Sequence, residues 1–190
     1  MIPDQDLLVV AERELTKVGP EKLTLAWIGR QSGIAAPTLI QRFGSKRRLL
    51  LEIAKARGAR VKQLFEQASD VGRAYLLLST EFSTPDEAAN QLAFLQSELG
   101  DAEFRAATQA LFEAMEMGTL RLLWQAAKAG ELEDAKGREL ARACVNAYWG
   151  ALVYWSVRGE GALSDLLGSQ LESVLAPFRA ESELTSAPSV

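Results

Sequence analysis

Residues 24–46, Thr-Leu-Ala-Trp-Ile-Gly-Arg-Gln-Ser-Gly-Ile-Ala-Ala-Pro-Thr-Leu-Ile-Gln-Arg-Phe-Gly-Ser-Lys, constrain the fold more than any other stretch. They read as two short helices joined at Gly33. Leu25 and Ile28 fall on one face of the first helix, and Leu39 and Phe43 on one face of the second. A glycine at position 33 tolerates the positive φ that such a turn requires, and a glycine at position 29 lets the two helices approach closely. The pattern predicts a helix-turn-helix whose second helix has the size to enter a DNA major groove. An ordinary corner between two helices has the same local pattern.

The flanking sequence extends this unit. Leu7, Leu8, Ala11, Leu15 and Val18 form one apolar stripe over residues 4–18, closed by Gly19 and Pro20. On the other side Ser45 is a helix cap, and a long helix is expected over 46–68.

The order helix, helix-turn-helix, long helix resembles the N-terminal domain of TetR-family transcriptional regulators. The matching residues are Leu23-Thr24-Leu25, Ile28, Gly33-Ile34, Thr38-Leu39, Phe43 and Ser45-Lys46. Four positions depart from the family pattern. Ile40 stands where the family usually has an aromatic, most often Tyr; Ala35 stands where it often has Ser; Arg47 and Arg48 follow Lys46 where acidic residues are common. Contact with DNA must then lean on other donors.

The charge is divided unevenly. The net charge is −4, yet residues 1–67 hold 12 Lys and Arg against 7 Asp and Glu, and residues 68–190 hold 9 against 18. A basic reader joined to an acidic body fits this split. Residues Thr24, Ala36, Thr38, Gln41, Arg42, Lys46, Arg47 and Arg48 are the expected DNA contacts. Gln41 suits adenine, Arg42 suits guanine or phosphate, and Ala36 or the Thr38 methyl suits a thymine methyl. Two arginines in the first turn of a helix oppose its dipole, and nothing local in the sequence explains them, so at least one is expected on phosphate together with Lys46.

Downstream, all periodicity is helical. Helices are expected over 70–79, from Pro85 to Leu99 with Thr84 as cap, from Asp101 to about residue 129, over about 137–157 and over about 164–178. A polar bend is expected over 131–136 and a disordered tail over 180–190. The chain is therefore expected to be all-α. A helix-turn-helix DNA-binding domain occupies 1–48, a connecting helix 46–68, and a ligand-binding and dimerisation domain 69–179.

In that body Ala143, Ala147 and Ala151 permit close helix approach, and Leu167, Leu171 and Val174 share one stripe. Two such helices from each of two chains would form a four-helix dimer interface. The aromatics Phe94, Phe104, Phe112, Trp124, Tyr148, Trp149, Tyr154 and Trp155, with Met115 and Met117, suggest an apolar cavity, for which Gln91, Gln125 and Asn146 would supply polar groups. The expected pocket set is Phe94, Phe112, Met115, Trp124, Asn146 and Trp149; core filling is the competing explanation. Trp27 faces away from the helix-turn-helix core and has no assigned partner.

The absence of histidine removes the commonest general base and metal ligand, and no phosphate-binding or dinucleotide glycine motif is present, so no enzyme is expected. Cys144 is alone, excluding an internal disulfide and a cysteine metal cluster. No cofactor or metal is expected beyond a small apolar effector. With no apolar run of about 18 residues and no signal-like start, a cytoplasmic chain without membrane contact is expected. The resemblance implies a homodimeric repressor that leaves a palindromic DNA operator when the effector binds. A same-fold regulator governed by a protein partner and a helical scaffold that binds no DNA are the alternatives.

Overall fold

The computed structural model describes residues 3–133 and 137–180. Among these the chain forms α1 (Asp4–Lys22), α2 (Leu25–Ser32), α3 (Ala36–Phe43), α4 (Lys46–Gln67), α5 (Val71–Ser79), α6 (Pro85–Leu99), α7 (Ala102–Lys128), α8 (Gly137–Arg158) and α9 (Leu163–Leu175). A single 3-10 turn, Ala176–Phe178, follows α9. The bend expected over 131–136 is described only as far as Glu133, and the tail beyond residue 180 lies outside the described residues.

Short polar side chains start the helices where their oxygens can accept otherwise unmatched amide hydrogens. Thr24 accepts from the amide of Trp27 at 3.0 Å, Ser45 from Arg48 at 3.2 Å, Asp70 from Arg73 at 2.7 Å and Asp101 from Glu103 at 2.9 Å. Helix α1 is interrupted at Gly19, whose φ of +79° is open to glycine at little cost. The carbonyls left free there are capped from another helix: Asn90 of α6 donates Nδ2 to the carbonyl oxygens of Thr16 and Lys17, both at 3.0 Å.

The apolar side chains form two clusters. One unites Leu7, Leu15, Ile28, Leu39, Phe43, Leu49 and Ile53 of the first four helices with Phe94, Phe104 and Ala107 of α6 and α7. The other is built around Phe65, Tyr75, Leu78, Met115, Leu123, Val145, Leu152, Leu167 and Leu171. Helix α4 belongs to both: its first half packs in the N-terminal cluster and its second half, with Val61 and Phe65, in the body. Buried polar residues include Glu12, Arg57, Gln91, Glu98 and Thr108, and Arg57 lies against Phe94 of the first cluster while bordering a void with Met115 of the second.

Candidate nucleic-acid interface

The two helices of the motif meet as glycine chemistry requires. Gly33 has φ of +70° and ends α2 in the left-handed region. A Cβ on Gly29 would lie 2.6 Å from the carbonyl oxygen of Ile34, so that position accepts no larger residue without moving the turn. Helix α3 has no side-chain cap at Ala35 but starts with Pro37 in its first turn, where a missing amide hydrogen costs nothing.

Helix α3 hides Leu39 and Phe43 and turns Thr38, Ile40 and Gln41 outward; Ala36 is half-buried. Ile40 is 52% exposed, an aliphatic patch on the same outward side as Gln41. Thr24 is exposed while its hydroxyl oxygen caps α2. At the start of α4, Lys46 donates to the carbonyl oxygen of Glu21 at 3.3 Å, and Arg48 is exposed.

Two arginines have partners that the sequence did not announce. Arg42 is paired with Asp4 at the start of α1, its Nε donating to Oδ1 at 2.6 Å. Arg47 donates Nη2 to Asp101 at 2.6 Å and to Glu103 at 2.7 Å, and lies 5.5 Å from the centre of the Phe104 ring. The hydrogen bond from Arg47 holds the Asp101 carboxyl below its ordinary range. Nothing local in the sequence answers the charge of Arg47; its partners come from the start of α7, 54 and 56 residues away.

Trp27 also finds its place. Its indole Nε1 donates to Glu14 of α1 at 3.1 Å, and Lys17 donates to the other oxygen of that carboxylate at 3.1 Å. Burial works against the Glu14 charge, but these bonds outweigh it and keep the carboxyl below its ordinary range. Trp27 therefore braces α2 against α1.

The expected pocket residues do not converge. Phe94 is fully buried in the N-terminal cluster, where Arg57 lies 5.3 Å from its ring centre. Trp124 is 60% exposed with the Lys128 ammonium 3.7 Å above its ring, and Asn146 is exposed. Met115 is buried, and Phe112 and Trp149 are half-buried and stacked at 5.3 Å. Of the six, Met115 and Trp149 border a void of about 20 Å³. Helical spacing identified the apolar side chains but not the helices that cover them.

The same correction applies to the expected dimer face. Ala151, Leu167 and Leu171 are buried in the chain's own body, where α9 packs on α8 and α5. Ala143, Ala147 and Val174 remain half-buried. The outward row of α8 continues through Gly150, Val153, Tyr154 and Val157, and Val157 is 78% exposed. No helix among the described residues is long and apolar enough to cross a membrane.

Residues 7–53 match the family model described as "Bacterial regulatory proteins, tetR family". No curated protein matches the chain. Among solved structures, SmeT, the repressor of the Stenotrophomonas maltophilia multidrug efflux pump SmeDEF, is similar with a TM-score of 0.65 at 20% identity, covering 98% of this chain and 95% of that one. A TetR transcription regulator from Haloarcula marismortui gives 0.71 at 15% identity, covering 93% and 98%. The transcriptional regulator FadR from Bacillus subtilis, in complex with stearoyl-CoA, gives 0.63 at 14% identity, covering 93% and 100%. At these identities the likeness is one of fold. Residues 7–53 thus match the helix-turn-helix domain of the tetR family, and the chain as a whole shares the all-α fold of these solved regulators.

Proposed function

We propose that this chain is a homodimeric, sequence-specific DNA-binding regulator, a repressor that leaves a palindromic operator when a small molecule binds its helical body. The observation that carries this reading is the outward row of α3. Thr38 and Gln41 stand clear of the buried Leu39–Phe43 ridge, with Lys46 and the exposed Arg48 just beyond. In this reading Gln41 pairs with adenine, Thr38 and Ala36 meet thymine methyls, and Thr24, Lys46 and Arg48 hold phosphates. Arg42 and Arg47 act first through the protein. Asp4 steadies the end of α3 through Arg42, and Asp101 with Glu103 ties the start of α4 to α7 through Arg47.

The dimer would close on the outward row of α8, from Ala143 and Ala147 to Tyr154 and Val157, beside Val174 of α9. Two chains would then set their α3 helices about 34 Å apart, or a multiple of it, on one side of the duplex. Helix α4 has 22 residues and spans about 33 Å at about 1.5 Å per residue, so a tilt at its body end would change that spacing. FadR and its stearoyl-CoA are one example of a ligand held in this fold.

Selection of bound sequences from a random DNA pool tests the proposal. The expected product is a palindromic motif whose affinity falls steeply with salt. Gln41→Ala should relax preference at one position per half-site at a cost of about 1–3 kcal/mol. Failure to enrich any sequence, with duplex binding insensitive to salt, would overturn it in favour of a scaffold.

A further inference from the structure

The buried polar residues include more than a DNA reader needs. Arg57 is 6% exposed, and its Nε donates to Glu12 Oε1 at 2.8 Å. Arg60 pairs with the other oxygen of the same carboxylate, so two guanidiniums share one directly bonded acid. The Nη atoms of Arg57 bond to no acceptor among the described residues. Arg57 also lines the void of about 20 Å³, with Phe82, Gln91, Met115, Tyr148 and Trp149. That volume holds about one water molecule.

Two further donors at this void have no partner among the described residues. Gln91 Nε2 and Trp149 Nε1 are both buried there without an acceptor, and Gln91 is 5% exposed. Buried donors without acceptors are rare and costly. Here two are gathered with an under-bonded guanidinium on the wall of one void. Among the described residues neither donor has an acceptor, and a negatively charged one would also face Arg57. Glu98 and Glu81 answer the Arg57 charge through space only, and burial raises both carboxyls above the ordinary range. One Glu98 oxygen accepts from Thr108 and the other has no partner among the described residues, while Glu81 lines the void, where an ionised carboxylate would favour a cation.

We propose that this void is the head-group site of the effector, and that the effector is a carboxylate on an apolar body. This rests on the reading of the chain as an effector-controlled regulator. The carboxylate replaces the water-sized space and takes hydrogen bonds from Arg57, Gln91 and Trp149. The body lies against Phe82 and Met115, whose unbranched side chain repacks readily. Arg57 gives the site its route to DNA. Its other bond is to Glu12 of α1, so a carboxylate on its Nη side competes for the charge that holds α1 to α4.

The test uses the full chain with three probes built on an eight-carbon chain: octanoate, methyl octanoate and octylammonium. Thermal shift reads binding, and affinity for the selected DNA reads coupling. Octanoate is expected to raise the melting temperature saturably and weaken DNA binding, and the other two to do neither. Gln91→Leu and Trp149→Phe should each weaken octanoate by roughly tenfold. Trp124→Phe, on the exposed side of α7, should leave octanoate affinity unchanged. Equal binding of the ester or the ammonium probe would overturn the proposal, as would no octanoate shift. If DNA selection still succeeds in that case, the regulator survives without this site. Octanoate binding that depends on Gln91 and Trp149 but leaves DNA affinity unchanged would keep the site and overturn its coupling.

Discussion

Two arginine clusters tie α4 to its neighbours, and they differ in everything but chemistry. At its first turn, Arg47 meets both Asp101 and Glu103, yet its side chain is 48% exposed. Ten residues on, Arg57 makes a single bond to Glu12 with its side chain 7% exposed. The exposed arginine has the richer bonding. The buried one is the costlier to disturb, because water stands ready to replace Asp101, whereas Glu98 and Glu81 reach Arg57 only through space. Burial, rather than the number of bonds, sets what each cluster is worth.

The strongest way to break this comparison is Glu12→Gln. It leaves Arg57 buried without its directly bonded countercharge and should cost about 3–5 kcal/mol in a urea melt. A loss no larger than that at Arg47 would show that the buried pair is compensated elsewhere.

A smaller effect separates the regions by pH. Glu98, with its carboxyl raised by burial, contributes stability that is present below the ordinary carboxylate range and lost as pH rises through its raised folded value. Asp101, lowered chiefly by the hydrogen bond from Arg47, contributes stability that is present above the ordinary range and lost as pH falls through its depressed folded value. Glu98→Gln should therefore flatten the decline on the upper side, and Asp101→Asn the loss on the acid side. Identical changes in the two pH profiles would contradict the opposite signs.

Arg47→Ala should lower stability only slightly, and that loss should shrink further in molar salt. A larger, salt-independent loss would mean that Phe104 rather than the two acids holds the residue. The smallest effect is expected at Cys144, fully buried and with its thiol pushed up to about 12 by burial. Iodoacetamide at pH 8 should label it only as fast as the body opens. Rapid labelling under native conditions would show the body to be looser than the N-terminal cluster.

What the sequence makes legible here is local. Caps at Thr24, Ser45 and Asp101 act within three residues, and the positive φ at Gly19 and Gly33 belongs to the glycine itself. What it hides is distant. Arg47 and Asp101 are 54 residues apart, and Arg57 and Glu12 are 45 apart. No spacing rule links two charges across such intervals. Periodicity places Leu167 and Leu171 on one face of α9 but does not say that α8 and α5 of the same chain cover that face. It likewise cannot distinguish Trp124, exposed under Lys128, from the buried Met115. Trp27 was opaque for the same reason, since its partner Glu14 sits on the preceding helix.

Phe94, Phe104 and Ala107 lie in the N-terminal apolar cluster although they come from α6 and α7. The first four helices cut from this chain after α4 would leave the space of two phenyl rings empty. Grafted onto the body of another protein of this fold, they would meet whatever side chains that body presents there. Exchange of specificity between such proteins is then a matching problem at this seam. A chimera that carries the partner surfaces of α6 and α7 along with the first four helices should keep its shape, where one joined at the linker alone should not.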